Sequence, residues 1–436
     1  MGDLGLKHSE IPLLFVESPK WDPSLDPPSI HYTADLYEPA DGMAVQPVLR
    51  DRMVLKPAID LKRYRCHSVI DWIEVQMETN GVHQAINIQR FASKVLGDNR
   101  SASKVYVSGP TRNSGYRGSS FIIRLQRPEF RHLGSLCAEL VKKYPTSARS
   151  IGDLAIAGIE VSVDFYVKNH AEMGSEAQDL LRWQMTEVLR RHLRPERSLT
   201  ELEENQPRFF ATANGNSTSK SLVSKSTAKA SGKQRSEIQR LGLNERVLAP
   251  LRIGAHEQAP IDTTFYIGKK GSPVMLRVMD KTTDQRNPTL GTAVNLAPTE
   301  CRSRIEVTFM KKPDEVGGPA AVKLETLSDL VEYPFKTIRK LVFEFFYPTI
   351  NSGDELVHLS FPVNVTELDV FRLSGVYGLD RLQRSIAEIS DRRYRKKEIT
   401  TKPRPIGRKG KAVSFVDLNR MIDRSLVRLS GDWASS

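Results

Sequence analysis

The stretch "FYIGKKGSPVMLRVMDK", Phe265 to Lys281, holds two short apolar-alternating segments around a turn rich in Gly, Lys and Pro, and this spacing predicts a β-hairpin. Alternate residues of a strand share a face, so Arg277, Met279 and Lys281 lie on one side of the second segment and Leu276, Val278 and Asp280 on the other. Two further segments repeat the pattern. In "GIEVSVDFY" (158–166), Glu160, Ser162 and Asp164 oppose Ile159, Val161, Val163 and Phe165; in "RIEVTF" (304–309), Arg304, Glu306 and Thr308 oppose Ile305, Val307 and Phe309. With the apolar sides packed on helices, one polar sheet face gathers the carboxylates of Glu160, Asp164 and Glu306 with the cations of Arg277, Lys281 and Arg304. A fourth carboxylate, Asp71 or Glu74, comes from "HSVIDWIEVQME" (67–78), where the alternation leaves the choice between them open.

Such a face has two readings. A half-exposed antiparallel sheet normally carries a polar side, and cross-strand charge pairs there contribute only about 0.2–1 kcal/mol each. Alternatively, the carboxylates hold a hard divalent cation, Mg²⁺ or Mn²⁺, which prefers oxygen ligands, while Arg277, Lys281 and Arg304 neutralise a phosphate. The second reading is the equipment of phosphoryl transfer.

Outward from these strands the chain divides into five parts. Residues 1–62 are rich in Pro and Asp and read as an extended arm. Residues 63–197 alternate strands and helices, ending in the amphipathic helix "SEAQDLLRWQMTEVLRRHL" (175–193). Residues 198–250 are rich in Ser, Thr and Lys and read as a flexible linker or insertion. Residues 251–365 carry the hairpin, the strand 301–310 and further helices, and 366–436 form a helical, strongly basic tail closed by "FVDLNRMIDRSLVRL" (415–429). The fold class expected is α+β, an antiparallel or mixed sheet covered by helices, with a helical C-terminal region. The last helix packs on its own domain or forms a homodimer surface.

Charge narrows the partners. The net formal charge of the 436-residue chain is +12, and residues 392–411 carry ten Lys and Arg against one Glu. Arg392, Arg393, Arg395, Lys396, Lys397, Lys402, Arg404, Arg408 and Lys409 in that run are candidates for tracking a DNA backbone without reading sequence; the alternative is a solubilising tail. Cys66, Cys137 and Cys301 are far apart and lack CxxC spacing, which argues against a disulfide framework and a structural zinc site and fits a reducing, cytoplasmic setting. The opening residues show neither a signal peptide nor a myristoylation pattern, and no apolar run approaches the roughly 20 residues that span a bilayer, so no membrane partner is expected.

The order of "IDWIEVQ", "GIEVSVDFY", the hairpin and "RSRIEVTF" resembles the Rep-trans type replication initiation factor family, which includes rolling-circle initiators of plasmids and phages and related relaxases of mobile elements. The likeness spans roughly 67–310 and is most specific at "YIGKKGSPVMLRVMDK" with "SRIEV". It implies a metal-dependent DNA nickase acting on a single-stranded or hairpin origin, with a host helicase as a further partner. A tyrosine hydroxyl attacks the phosphodiester, leaving a 5′-phosphotyrosine and a free 3′-OH. Carried over by position, Glu160, Asp164 and Glu306 are acidic site residues and Arg277 and Lys281 hairpin cations. Where the family has a tyrosine between the arginine and the Asp-Lys pair, this chain has Met279, whose thioether forms no such ester. Tyr266 is the nearest substitute and otherwise an ordinary cross-strand aromatic; Tyr394 in "RRYRKK" is a more distant one. The sequence has no His-x-His pair for a metal, and His67, His83 and His132 are isolated. A non-catalytic origin-binding protein of the same fold, or an unrelated basic scaffold, accounts for the same residues without cleavage.

Overall fold

A computed structural model describes residues 8–16, 21–39, 46–97, 104–110, 116–196, 207–213, 216–221, 258–287, 292–312, 317–351, 367–402 and 410–435. The N-terminal third contributes strands β1 (His8–Pro12), β2 (Ser29–Leu36), β3 (Arg52–Pro57) and the long β4 (Tyr64–Gln84). Helix α1 (Ala85–Leu96), strands β5 (Val105–Ser108) and β6 (Arg117–Gln126), helix α2 (Phe130–Lys143), strand β7 (Ala155–Val167) and helix α3 (Ser175–His192) follow. Strands β8 (Arg208–Ala213), β9 (Asn216–Ser221), β10 (Thr264–Ile267), β11 (Val274–Lys281), β12 (Thr283–Asn287), β13 (Thr292–Asn295) and β14 (Arg302–Met310) come next. The chain closes with α4 (Leu327–Val331), α5 (Lys336–Val342), β15 (Phe346–Asn351), α6 (Glu367–Arg395), β16 (Ala412–Ser414) and α7 (Val416–Ser435). The fold is α+β, and every pairing in its main sheet is antiparallel.

That sheet has nine strands in the order β5-β6-β4-β7-β14-β11-β10-β8-β9. The hairpin read from Phe265–Lys281 is present as β10 and β11, with Tyr266 opposite Arg277. Its turn depends on Gly268, whose φ is +95° and whose Cβ, were there one, would lie 2.6 Å from the carbonyl oxygen of Val274. The apolar set of residues in the three patterned strands is buried as expected: Ile159, Val161, Val163, Phe165, Leu276, Val278, Ile305, Val307 and Phe309 are each at most 1% exposed. Helix α3 packs against β7, β11 and β14 on this side. Helix α7 lies on the same side, because Ser68 of β4, which shares the face of Val163, meets Ser425 of α7 at 2.8 Å between hydroxyls.

Two segments differ from their sequence reading. The arm 1–62 supplies β1, β2 and β3, which join β15 and β16 in a five-stranded antiparallel sheet of order β1-β2-β3-β15-β16. β1 pairs with β2 and β2 with β3, and the three are joined to the rest of the sheet by β3 pairing with residues some 300 positions away, such as Val54 opposite Thr349. Part of the Ser-rich stretch 198–250 likewise forms the β8–β9 hairpin at the sheet edge, with Arg208, Phe209 and Phe210 opposite Tyr266, Phe265 and Thr264. Residues 222–250 lie outside the described residues.

Helix α3 is the middle layer between the two sheets. Residues Met185 to His192 are all buried, although three of them are the basic Arg190, Arg191 and His192. Each has found partners. Arg190 donates to the carbonyl oxygens of Pro260 (2.7 Å) and Ile261 (3.1 Å) and to that of Thr263, tying α3 to the chain that leads into β10. Arg191 donates to the carbonyl of Phe371 at 2.8 Å and to Glu187, and Arg182 pairs with Asp280 at 2.5 Å. Asp280 therefore belongs to the helical side of the hairpin, as alternation expects. The helix read as amphipathic is, over its C-terminal half, enclosed on both sides, and its buried guanidiniums are held by carbonyl oxygens and carboxylates of the neighbouring segments.

Candidate functional site

The other side of the nine-stranded sheet is the polar face, and it opens as a groove of about 1130 Å³ lined among others by Asp71, Glu160, Asp164, Arg277, Arg302, Arg304 and Glu306. Register brings these residues together. Glu306 of β14 is opposite Arg277 of β11 on one side and Ser162 of β7 on the other, and Arg304 is opposite Met279 and Asp164. The open choice on β4 is settled by a β-bulge between Ile70 and Trp72, which shifts the alternation and turns Asp71 into the cluster. Glu74, opposite Gly158, instead binds Arg124 at 2.8 Å, and that guanidinium stacks over Trp72 at 4.1 Å from the ring centroid.

Contrary to the expectation of a solvated face, the carboxylates are covered: Asp164 is 1% exposed, Glu306 4% and Glu160 6%. Guanidinium groups do the covering. Arg304 grips Asp164 in a bidentate pair of 2.6 and 2.7 Å and also reaches Asp71 at 3.0 Å, while Arg302 meets Asp164 at 3.1 Å. Arg277 donates to Glu160 at 2.6 Å and lies against Glu306 by charge, its Nε unaligned for a hydrogen bond there. Thr308 donates to Glu160 at 2.6 Å, and the Ser162 hydroxyl to Asp71. Burial, first, and the neighbouring Glu160 push the Glu306 carboxyl up to about 8 against the pull of Arg277 and Arg304. Burial pulls the Arg277 guanidinium down, but Glu306 and Glu160 outweigh it and leave it above its ordinary value.

Asp71, Glu160 and Glu306 each offer one oxygen within 4.8 Å of the others, a three-carboxylate set that could hold a metal ion. The all-oxygen donors suit a hard divalent cation. Asp164 stands outside this set, its two oxygens held by Arg304 and Arg302. Arg304, expected to meet a phosphate, is 5% exposed and serves as an internal counter-charge to Asp164 and Asp71. Lys281 lines the far end of the groove, bonded to Asp284 at 3.2 Å rather than to the carboxylate cluster.

Tyr266 lies on the same cross-strand row as Arg277 and Glu306, between Arg277 and Arg208, but is not among the residues that line the groove. Tyr166, which sequence reading passed over, continues the series Glu160, Ser162, Asp164 along β7 and lines the groove, with the guanidiniums of Arg65 and Arg302 over its ring at 5.0 and 5.6 Å. Carrying the alternation one step further finds it. Burial, first, and Asp164 push its hydroxyl up against three arginines, which keeps it protonated. In the basic run, Arg392, Arg393, Arg395, Lys396 and Lys397 are exposed at and just beyond the C-terminal end of α6 and Lys402 is exposed after it; Arg404, Arg408 and Lys409 lie outside the described residues. Tyr394 sits among them, away from the groove-lining set. No described helix is long and apolar enough to cross a membrane. No family model matches the chain, and no curated protein matches it.

Proposed function

We propose that the protein is a DNA-binding replication initiator or relaxase of a plasmid, phage or other mobile element, nicking one origin strand by metal-assisted attack of a tyrosine hydroxyl on a phosphodiester in a reducing, cytoplasmic setting. The observation that supports it is the convergence of Asp71, Glu160 and Glu306, from three different strands, at the floor of an open groove. These three residues would hold Mg²⁺ or Mn²⁺, and the ion supplies polarisation of the scissile phosphate. Arg277 and, along the rim, Lys104, Arg127 and Lys270 supply positive charge for the strand's phosphates. Tyr266, in line with Arg277 and Glu306, is the hydroxyl assigned to attack: it gives up its proton, its oxygen bonds to phosphorus, the P–O3′ bond breaks, and the departing 3′ alkoxide takes up a proton to become the free 3′-OH. The exposed cations after α6 extend the contact along the backbone, and a host helicase and a second copy of the chain are the partners such an initiator would use.

Met279, facing the groove at the position the resemblance gives to tyrosine, favours a second reading, an origin-binding protein of the same fold without cleavage. Incubation with supercoiled DNA carrying the cognate origin, in Mn²⁺ and in chelator, separates the two. Nicked circles linked to protein in Mn²⁺ alone, lost in Tyr266→Phe, support the nickase; tight origin binding with intact circles leaves the second reading.

A further inference from the structure

The three carboxylates able to hold a metal already have a cation among them. Glu160 and Glu306 share Arg277, and Asp71 and Asp164 share Arg304. With Arg302 beside Asp164, three guanidiniums face four carboxylates, so the cluster carries one net negative charge with all groups ionised. A divalent ion added to an unchanged cluster would leave a positive excess in a buried place, and two cations would compete for the same oxygens of Glu160 and Glu306. One guanidinium has to yield.

The two candidates are held very differently. Arg304 has four hydrogen bonds to two carboxylates and a side chain 6% exposed, with no room to move without unpairing Asp164 in the core of the sheet. Arg277 has one hydrogen bond, to Glu160, an unaligned ionic contact to Glu306, and a side chain 26% exposed to the groove. Thr308 donates to the same Glu160 oxygen independently of Arg277. Met275, Met279 and the hairpin-turn residues Lys270 and Gly271 line the same groove, so a guanidinium released from the floor enters a space bounded by flexible side chains and holding another cation.

We propose that Arg277 is an exchangeable counter-ion: it occupies the carboxylate cluster in the metal-free protein, leaves Glu160 and Glu306 when a divalent cation binds, and then becomes, with Lys270, the phosphate ligand of the groove. Metal and nucleic-acid backbone then bind in order and reinforce each other, since the ion frees the group that the phosphate needs, and by linkage the phosphate stabilises the state that accepts the ion. This rests on the metal reading of the site above and adds an order of binding to it.

The test uses the full chain with Mn²⁺ and an oligothymidine as probes. In the wild-type protein, phenylglyoxal labelling read by peptide mass spectrometry should find Arg277 protected in chelator and several-fold more reactive in saturating Mn²⁺, with Arg304 protected in both. Calorimetric titration of Arg277→Gln should show Mn²⁺ bound about tenfold tighter than by wild type, mid-range for coupled sites. Mn²⁺ should raise oligothymidine affinity in wild type and leave it unchanged in the variant. Arg277 labelling that ignores bound Mn²⁺, or a variant with unchanged or weaker Mn²⁺ affinity, overturns the exchange while leaving the metal site standing. A wild-type protein that binds no Mn²⁺ overturns both. Because labelling is done on the wild type, the result does not depend on the variant folding.

Discussion

Glu306 is a carboxylate with two arginines on it, almost no exposure, and a raised proton affinity. Removing it leaves Arg277 and Arg304 short of charge in a dry place, so Glu306→Ala should destabilise the fold by about 3–5 kcal/mol, whereas Glu306→Gln, which keeps the shape, should cost about 1–3 kcal/mol. Chemical denaturation of the two variants checks the difference; equal and negligible losses would mean a solvated face after all. A second residue argues from the opposite sign. His192 is fully buried, and since the Phe346 carbonyl oxygen, 2.8 Å from Nδ1, can only accept, the ring carries its proton there and takes the Tyr32 hydroxyl at Nε2, 3.0 Å away. Burial holds its protonation down to about 3. Between that value and the ordinary 6.5, the unfolded chain binds a proton that the folded chain does not, so stability falls as pH falls through that window, by up to about 1.4 kcal/mol per unit. Denaturation at pH 6.5 and 5 should show a steeper slope in wild type than in His192→Gln. The sequence offered no sign of this: an isolated histidine at a helix end reads as exposed until the second sheet is known to cover it.

At the scale of elements, alternation along single strands was the legible part. β7, β11 and β14 keep the two sides that alternation assigns, with Ile159, Val161, Val163, Phe165, Leu276, Val278, Ile305, Val307 and Phe309 inside and, on β11, Asp280 inside with Arg182 while Arg277 and Met279 line the groove, because the period of a strand is fixed by its backbone and survives any partner. β4 was ambiguous for a physical reason, since a bulge inserts one residue and breaks the period at Asp71. Burial of the polar face was not legible, because it comes from arginines of neighbouring strands folding over the carboxylates, a matter of register rather than composition. Gly158 shows how closely these strands are fitted: a Cβ there would lie 2.7 Å from Met310 Sδ, 3.0 Å from the Trp72 ring and 3.1 Å from a Glu74 oxygen. Gly158→Ala should therefore cost about 1–3 kcal/mol through overpacking, readable as a lowered Tm, and should displace Trp72 from the Arg124 guanidinium, readable as a shift in its fluorescence. An unchanged Tm would show that the groove floor yields more readily than its contacts imply.

For the whole molecule, two sheets on either side of α3 explain why a proline-rich arm and a segment after residue 345 belong to one structure, and why neither was readable as a strand system from local pattern. The layered fold leaves one face of the larger sheet open and puts the exposed cations after α6 on the surface, where any contact with a polyanion would be through charge alone. Replacing Arg392, Arg393, Arg395, Lys396 and Lys397 by Gln should weaken DNA binding across sequences and reduce the slope of log affinity against log salt by about 2–4, at roughly 0.7–0.9 per phosphate contact. An unchanged slope would assign that run to solubility. The central claim, that the polar face is a metal site, is tested most directly by calorimetric titration of Mn²⁺ into the wild-type chain and Glu160→Gln. One ion per chain is expected in the wild type and a more than tenfold loss of affinity in the variant, since a ligand is lost from a small donor set; no binding to the wild type, or equal binding to both, would rule out a metal held by these carboxylates.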